Sequence, residues 1–260
     1  MLPLQRKQAL ISYLSHKGAA TMKELSDHFG VSEMTIRRDL NVLEQEGRVQ
    51  RSHGGVVYRD AIAAAGQDEP TLSAKQARNP DAKERLAAYA AEKFVHDGDV
   101  AILENGTTVS RMAELLGGLD RVTLLTNGID TLTRFRPHVT ERRSIVCCGG
   151  ILREISGTFV GPVAEEFFSR YHADTLFLSA LGFCVEDGFT DPYLMDTQVK
   201  KAMIRSAERV VMLLDSSKIG KRYFSPVAGL SDIDIFVTDQ GLADTDRASI
   251  EESGVELHVV

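Results

Sequence analysis

The sequence of 260 residues has no long apolar run and few cysteines. No stretch approaches the ~18 apolar residues that a membrane-spanning helix needs, and the start, Met1 to Lys7, lacks the apolar core of a signal peptide. We therefore expect a cytoplasmic protein. The three cysteines are too few for a disulfide framework and lack the spacing of zinc ligands, so we expect reduced, mostly buried thiols at Cys147, Cys148 and Cys184.

The composition is that of an ordinary globular protein, with 43% hydrophobic and 26% charged residues. The net charge of -7 has the wrong sign for a nucleic-acid binder, but the charge is unevenly distributed. Residues 1–60 contain nine basic and seven acidic residues, whereas the remaining 200 contain 21 basic and 30 acidic residues. A slightly basic end on an acidic body is typical of a chain in which one part meets a polyanion.

Three short amphipathic helices are predicted at the amino-terminal end. The first covers residues 4–14. The second begins at a capping box formed by Thr21 and Glu24 and ends at Gly30. Ser32 is the expected cap of the third. The apolar residues of the second and third helices that should face inward are Met22, Leu25, Phe29, Ile36, Leu40 and Leu43.

A β-hairpin is predicted after the third helix. Val49 and the run 56–58 flank a turn rich in glycine, Ser52 to Gly55. The order helix, helix, turn, helix, hairpin is that of a winged helix-turn-helix. We therefore predict a DNA-binding domain of this kind over residues 1–59.

The outer face of the third helix has the composition expected for a helix in the major groove of DNA. Met34, Arg38 and Asn41 lie opposite the apolar residues, and Thr35 and Arg37 flank them. Arginine can contact guanine or phosphate, and threonine a base edge or phosphate. The alternative is that the arginines are solvated surface charges. The predicted DNA-binding residues are Ser32, Thr35, Arg37, Arg38, Asn41 and, on the wing, Arg51, Ser52, His53 and Gly54.

The rest of the chain is predicted to be a linker followed by a larger α/β domain. Residues 60–80 show no sustained period and are interpreted as the linker, with a turn of helix at 74–77 as the alternative. In residues 81–260, short runs that are apolar throughout alternate with helical segments, which is typical of a mainly parallel sheet covered by helices. The runs are 100–103, 122–126, 144–148, 175–180, 210–214, 233–238 and 255–260.

Five polar clusters follow predicted strands, and open α/β sheets bind ligands at that edge. In the first, amides and hydroxyls at the start of a helix could hold an anion, although it lacks the lysine of a P-loop. Each cluster taken alone could be a plain turn. The clusters are 103–109, 126–128, 148–153, 181–188 and 215–218.

The stretch from Ser32 to Leu40, followed by Leu43, Gly47 and the wing residues 51–55, resembles the DeoR family of bacterial transcription regulators. This string is specific because it fixes the helix, the spacing and the wing together. The resemblance implies that residues 32–46 form the DNA-contacting helix. The contacts that it favours are Thr35, Arg37 and Arg38.

The resemblance also covers the body, which is similar to a sugar-phosphate isomerase or CoA-transferase fold that serves as a sensor of a phosphorylated sugar. It implies that Gly106, Thr107 and Thr108 hold the phosphate and that Lys218 neutralises it. The sequence departs from the usual family pattern at Glu104 and Asn105 and in the stretch 179–182. The other predicted effector residues are Asn105, Asn127, Gly150, Arg153, Gly182 and Asp187.

The resemblance implies a DNA-binding regulator, expected to repress a carbohydrate-catabolism operon and to be modulated by the sugar phosphate. A dimer or tetramer is expected, because one short helix reads too few bases. No cofactor or metal is expected. One alternative is an isomerase or deaminase with an appended DNA-binding head, although a related deaminase needs an aspartate where this chain has Asn127 and a histidine where it has Phe189. A DNA binder without a ligand is the other alternative.

Overall fold

The structure is a computed structural model that describes residues 3–17, 19–45, 49–52, 55–58 and 69–260. No helix among these residues is long and apolar enough to cross a membrane.

The amino-terminal domain consists of three helices and a small antiparallel sheet. Its helices are α1 (Pro3–Lys17), α2 (Met22–Phe29) and α3 (Glu33–Gln45), and its strands are β1 (Ala19–Thr21), β2 (Val49–Ser52) and β3 (Gly55–Tyr58). The strands lie in the order β1-β3-β2. The predicted hairpin is therefore present, and β1 adds a third strand that the sequence did not predict.

Local sequence signals set the limits of α2. Both halves of the capping box between Thr21 and Glu24 are formed, and Gly30 ends the helix in the left-handed conformation with φ 62°. These two predictions are confirmed. The helices enclose one apolar core, and burying each large aliphatic side chain contributes about 1.5–3 kcal/mol. The largest buried residues of this core are Leu10, Leu14, Leu25, Ile36 and Leu40.

The larger domain contains seven helices and twelve strands among the described residues. The helices are α4 (Leu72–Ala77), α5 (Pro80–Phe94), α6 (Met112–Leu116), α7 (Ile129–Phe135), α8 (Pro162–Ser169), α9 (Leu194–Arg205) and α10 (Asp244–Glu252). The strands are β4 (Val100–Leu103), β5 (Val122–Thr126), β6 (Arg143–Cys147), β7 (Ile151–Arg153), β8 (Thr158–Val160), β9 (Ala173–Leu178), β10 (Gly182–Cys184), β11 (Gly188–Asp191), β12 (Ala207–Leu213), β13 (Ser225–Ala228), β14 (Ile235–Thr238) and β15 (Glu256–Val259). Short 3-10 turns cover Val109–Arg111, Arg136–His138, Ser216–Lys218 and Leu230–Asp232.

Seven of these strands form one sheet in the order β15-β14-β12-β9-β4-β5-β6, and every pair in it is parallel. Separate apolar cores cover its two faces. The predicted α/β class and mainly parallel sheet are confirmed. Two smaller antiparallel sheets, β10-β11-β13 and β7-β8, lie outside it. The carboxyl ends of β4, β9 and β12 bring the loops that follow them to a common edge.

The second half of the predicted linker 60–80 is part of the larger domain and not a free connection. Residues 59–68 lie outside the described part of the chain, but residues 69–79 fold against the larger domain and contain α4. The backbone amide of Leu72 donates to the Ile155 carbonyl at 2.9 Å, and the side-chain Nδ2 of Asn79 donates to Asp215 Oδ1 at 2.9 Å. The larger domain therefore begins before residue 81.

Candidate functional site

The outer face of α3 is exposed on the surface of the amino-terminal domain. Ile36, Leu40 and Leu43 are buried, whereas Arg37 and Arg38 are exposed. Met34, Ser32 and Asn41 are also exposed, and Thr35 is half-buried. Met34 has 68% of its surface exposed, an unusual value for a large apolar side chain. The structure thus brings together on one surface the helical residues that were predicted to contact DNA.

A buried ion pair orients this helix. Arg6 Nε of α1 lies 2.5 Å from Asp39 Oδ2. Asp39 directly follows Arg37 and Arg38 in the sequence. Because Asp39 faces inward, the two arginines before it are turned outward. The sequence analysis did not identify this pair, since its partners are 33 residues apart.

The predicted wing residues are only partly described. Arg51 and Ser52 lie in β2, where Ser52 pairs with Gly55 of β3. His53 and Gly54, at the tip, lie outside the described residues. Contact between the wing and DNA stays a prediction.

A cavity of about 270 Å3 opens at the carboxyl edge of the parallel sheet. Four predicted effector residues line it: Asn105, Gly106, Thr107 and Lys218. The geometry around Gly106 differs from the expected phosphate cradle, because its amide already donates to Glu104 Oε2 at 2.8 Å.

Two of the predicted residues support this loop from behind. Thr108 is fully buried and Asn127 is 1% exposed, and neither lines the cavity. Asn127 Oδ1 accepts from the Asn105 amide at 3.2 Å, and Asn105 Nδ2 donates to the Ser156 carbonyl at 3.0 Å. Asn127 therefore holds the Asn105 loop in place and is not a lining residue.

Gly150, Gly182 and Asp187 do not line the cavity. Gly150, with φ 120°, lies at the turn into β7. Gly182 packs so closely on the Lys221 backbone that a Cβ would come within 2.4 Å of its carbonyl oxygen. Asp187 forms an ion pair with Arg222 at 3.0 Å. Leu181, just before Gly182, and Asp191 of β11 do line the cavity, so this part of the chain reaches the cavity through these neighbours and not through Gly182 or Asp187.

One corner of the cavity concentrates positive charge. Arg78, Lys83 and Lys218 line it near Asp215, and the charges of Asp191 and Glu104 also act on Lys218. Burial, together with the charge of Lys218, lowers the pKa of Lys83 to about 8. Burial also lowers the pKa of Lys218, whose Nζ donates to the Ala180 carbonyl at 2.8 Å. An anion entering this corner would be stabilised by charge-assisted hydrogen bonds.

Beside this corner, Lys200 forms a hydrogen-bonded group with two carboxylates, and it donates to the carbonyl next to the one that Lys218 contacts. Lys200 Nζ donates to Asp191 Oδ2 at 2.6 Å and to the Ser179 carbonyl at 2.7 Å, and it lies 3.5 Å from Glu104 Oε1. Burial would lower the pKa of Lys200, but the charges of Asp191 and Glu104 raise it. Carboxylates held in this way can accept hydrogen bonds from ligand hydroxyls.

Arg153 lies behind the cavity wall and is not among its lining residues. Its guanidinium binds Glu69 at 2.6 Å and also binds Asp196, and it stacks on the Tyr193 ring at 3.6 Å from the ring centre. Glu69, Tyr193 and Asp196 do line the cavity. The arginine predicted to contact the sugar instead joins three wall residues.

The sequence analysis missed much of this wall. A usable signal existed in α9, where Asp196 and Lys200 are four residues apart on a helix whose Val199 and Met203 are buried. Charged residues among buried apolar neighbours on one helix need partners or a function. A similar signal is Lys83, which shares the buried face of α5 with Leu86.

Two family models match the chain. The DeoR-like helix-turn-helix domain matches residues 6–61. The DeoR C terminal sensor domain matches residues 78–240. Together they cover both domains described above.

Individual proteins agree with this assignment. The chain is 35% identical over 260 residues to the uncharacterized HTH-type transcriptional regulator YulB of Bacillus subtilis, covering 100% of this chain and 98% of that one. It is 30% identical over 256 residues to the putative aga operon transcriptional repressor of Escherichia coli O157:H7, covering 98% and 93%. Ribose 5-phosphate isomerase A of Methanocaldococcus jannaschii is a distant structural match, with TM-score 0.40, 20% identity and coverage of 55% and 56%. A similarity this distant carries no information about activity. On the family models and the full-length relatives, this chain belongs to the DeoR family of transcriptional regulators.

Proposed function

We propose that this protein represses a carbohydrate-catabolism operon and that a phosphorylated sugar bound in the cavity modulates its binding to DNA. The observation that carries the proposal is the cationic corner of the polar cavity, where Arg78, Lys83 and Lys218 lie near Asp215. The volume of about 270 Å3 is near the lower end of the roughly 300–1,000 Å3 of ligand sites and suits a small metabolite.

The two parts of the cavity suggest how the ligand is oriented. The phosphate would lie against Lys83, Lys218 and Thr107, where desolvated ammonium groups gain most from an anion. The sugar hydroxyls would face Glu104 and Asp191, which accept hydrogen bonds. This orientation keeps the predicted role of Lys218 and moves Arg153, Gly150, Gly182 and Asp187 out of direct contact.

The DNA-binding role rests on the exposed face of α3. Arg37 and Arg38 project from a helix that the Arg6–Asp39 pair holds in one rotation. The repressor name of the Escherichia coli relative supports repression as the direction of control. Because one short helix contacts few base pairs, we also propose that the protein binds its operator as a dimer or larger oligomer.

The protein is proposed to sense the sugar phosphate without converting it. Asn127 lies outside the cavity, and Phe189 is buried against Phe183 and Phe236, with ring centres 4.6 and 5.2 Å apart. Neither can accept a proton from a ligand. Incubation with the bound sugar phosphate, followed by NMR, should show no conversion, whereas conversion proportional to protein concentration would favour the isomerase alternative.

The direct test is a thermal-shift screen with sugar phosphates and their unphosphorylated parents. Only phosphorylated compounds should raise the melting temperature of the wild type. Lys218→Ala should weaken that response by roughly 10- to 100-fold in concentration, because a charge-assisted hydrogen bond is lost. Lys93→Ala, on the exposed side of α5, is the matched control. Equal shifts with the unphosphorylated sugars would contradict the proposal, and no shift with any compound would favour a DNA binder without a ligand.

A further inference from the structure

We propose that residues 69–79, here called the connecting segment, transmit occupancy of the cavity to the DNA-binding domain, with Glu69 as the positioning residue. The inference rests on the proposed function and adds the path by which the ligand acts.

The connecting segment is the first described part of the larger domain after the DNA-binding domain. Only the ten residues 59–68 separate its first residue, Glu69, from Tyr58, the last residue of β3 in the wing. In the larger domain, Glu69, Lys75 and Arg78 line the cavity. The segment that follows these ten residues therefore forms part of the wall of the ligand site.

Polar contacts hold the segment in place. All six residues of α4 are described, and none of them is buried. The attachments are hydrogen bonds from the Leu72 amide to Ile155, from Asn79 to Asp215, and from Lys83 Nζ to the Lys75 carbonyl. Because no apolar side chain of α4 anchors it in a core, a ligand that rearranges a few polar contacts can shift the segment.

Glu69 adds two ion pairs to these attachments. Its side chain is 4% exposed and binds Arg153 at 2.6 Å and Lys75 at 2.9 Å. Burial would raise the pKa of Glu69, but the charges of Lys75 and Arg153 hold it below its usual value. The carboxylate is therefore ionised and fixed at neutral pH.

Arg153 joins Glu69 to two other residues that line the cavity. The same guanidinium binds Asp196 and stacks on Tyr193, and both of these residues line the cavity. At the cationic corner, a phosphate would meet Arg78, which belongs to the segment itself. Because Glu69 and Arg78 both line the cavity, a bound sugar phosphate would lie beside residues near both ends of the segment. We expect it to bind more tightly to one position of the segment than to another. Such a difference is what coupling between two sites requires.

The test measures the ligand response of DNA binding in full-length protein. The DNA is a duplex that the wild type selects from a random library. The ligand is whichever of glucose 6-phosphate, fructose 6-phosphate, ribose 5-phosphate and glycerol 3-phosphate raises the wild-type melting temperature most. Operator affinity is measured without ligand and at ligand saturation, so a changed ligand affinity does not affect the ratio.

In Glu69→Gln, the ligand should still raise the melting temperature, but operator affinity with and without ligand should agree within twofold. Arg142→Gln, which removes an exposed ion pair with Asp120, should keep the wild-type ratio. A Glu69→Gln variant that keeps the wild-type ratio would overturn this inference and leave the proposed function intact. A wild type that neither binds any of the four compounds nor changes its operator affinity with them would overturn both.

Hydrogen exchange of the wild type provides a test that does not depend on the variant folding. Peptides covering residues 69–79 should change their exchange rate at least twofold when the ligand binds. Peptides from α10, none of whose residues lines the cavity, should not change. Unchanged exchange in the connecting segment, with ligand binding confirmed by thermal shift, would overturn the inference.

Discussion

The Glu69 carboxylate lies 2.6 Å from the Arg153 guanidinium, and the two residues are 84 positions apart in the sequence. Their side chains are only 4% and 9% exposed, so this is a buried ion pair and not a surface one. The pair attaches the connecting segment to the wall of the cavity. Its role in stability and its role in signalling can be measured separately.

Glu69→Gln should lower the free energy of unfolding by about 1.5–3 kcal/mol, because a hydrogen bond to a buried charge is weakened. Since the pKa of Glu69 is lowered in the folded state, the stabilisation is full above the unfolded value of 4.5 and is lost as the pH falls through the lower folded value. Urea unfolding at pH 7 and at acidic pH measures both effects. Equal stability of wild type and variant at pH 7 would show that the pair contributes nothing.

Lys83 should make sugar-phosphate affinity depend on pH. Its pKa is lowered to about 8 by burial and by Lys218, and the phosphate dianion prefers the ammonium form. As the pH rises, the affinity should therefore increase through the second pKa of the phosphate, about 6, and then decrease through the pKa of Lys83, about 8. Calorimetric titration from acidic to alkaline pH measures this profile. The Lys83→Arg variant keeps its charge at alkaline pH, so its affinity for the sugar phosphate should stay high to a higher pH than in the wild type. If the affinity of this variant falls at the same pH as that of the wild type, Lys83 is not the group whose titration causes the fall.

Gly106→Ala should disrupt the cavity. A Cβ there would lie 2.0 Å from Ser179 Oγ and 2.6 Å from Glu104 Oε2, so the loop or both neighbours must move. Ligand-induced stabilisation should be lost while operator binding persists, because α3 is in the other domain. Gly118→Ala, where a Cβ would meet only the Leu115 carbonyl at 3.5 Å, is the control. Wild-type ligand response in Gly106→Ala would show that this loop does not shape the site.

Arg37→Ala and Arg38→Ala should each weaken operator binding without changing the fold, because both side chains are exposed. An arginine that reads a base contributes ~1–3 kcal/mol of discrimination, whereas one that contacts phosphate mainly reduces the salt slope by ~0.9. Binding measured over a range of salt concentrations distinguishes the two roles. Lys93→Ala should behave as the wild type, and full-strength binding by the double arginine variant would rule out α3 as the recognition helix.

Features encoded by neighbouring residues were predictable from the sequence. The capping box of α2 involves residues three positions apart, and most strands inside the parallel sheet contain buried apolar runs, whereas the edge strands β6 and β15 are only partly buried. The connecting segment was interpreted as linker because α4 is short and has no buried face, so it leaves no hydrophobic period.

The wall of the cavity was less predictable because its contacts join distant parts of the chain. The Glu69–Arg153 and Lys200–Glu104 pairs depend on the tertiary fold. The prediction also named the wrong residues of the cluster 181–188: Leu181 lines the cavity, whereas Gly182 packs on the Lys221 backbone.

A phosphorylated sugar or polyol in the cavity is expected to change operator binding. The most direct measurement is the affinity of the wild-type protein for its selected duplex, titrated with the four phosphorylated compounds and, in parallel, with the unphosphorylated parents. At least one phosphorylated compound should shift the operator affinity about 5- to 150-fold, the usual range of coupling between sites, and its parent should not. Operator affinity that is the same with every compound, or that responds equally to the unphosphorylated parent, would contradict this expectation.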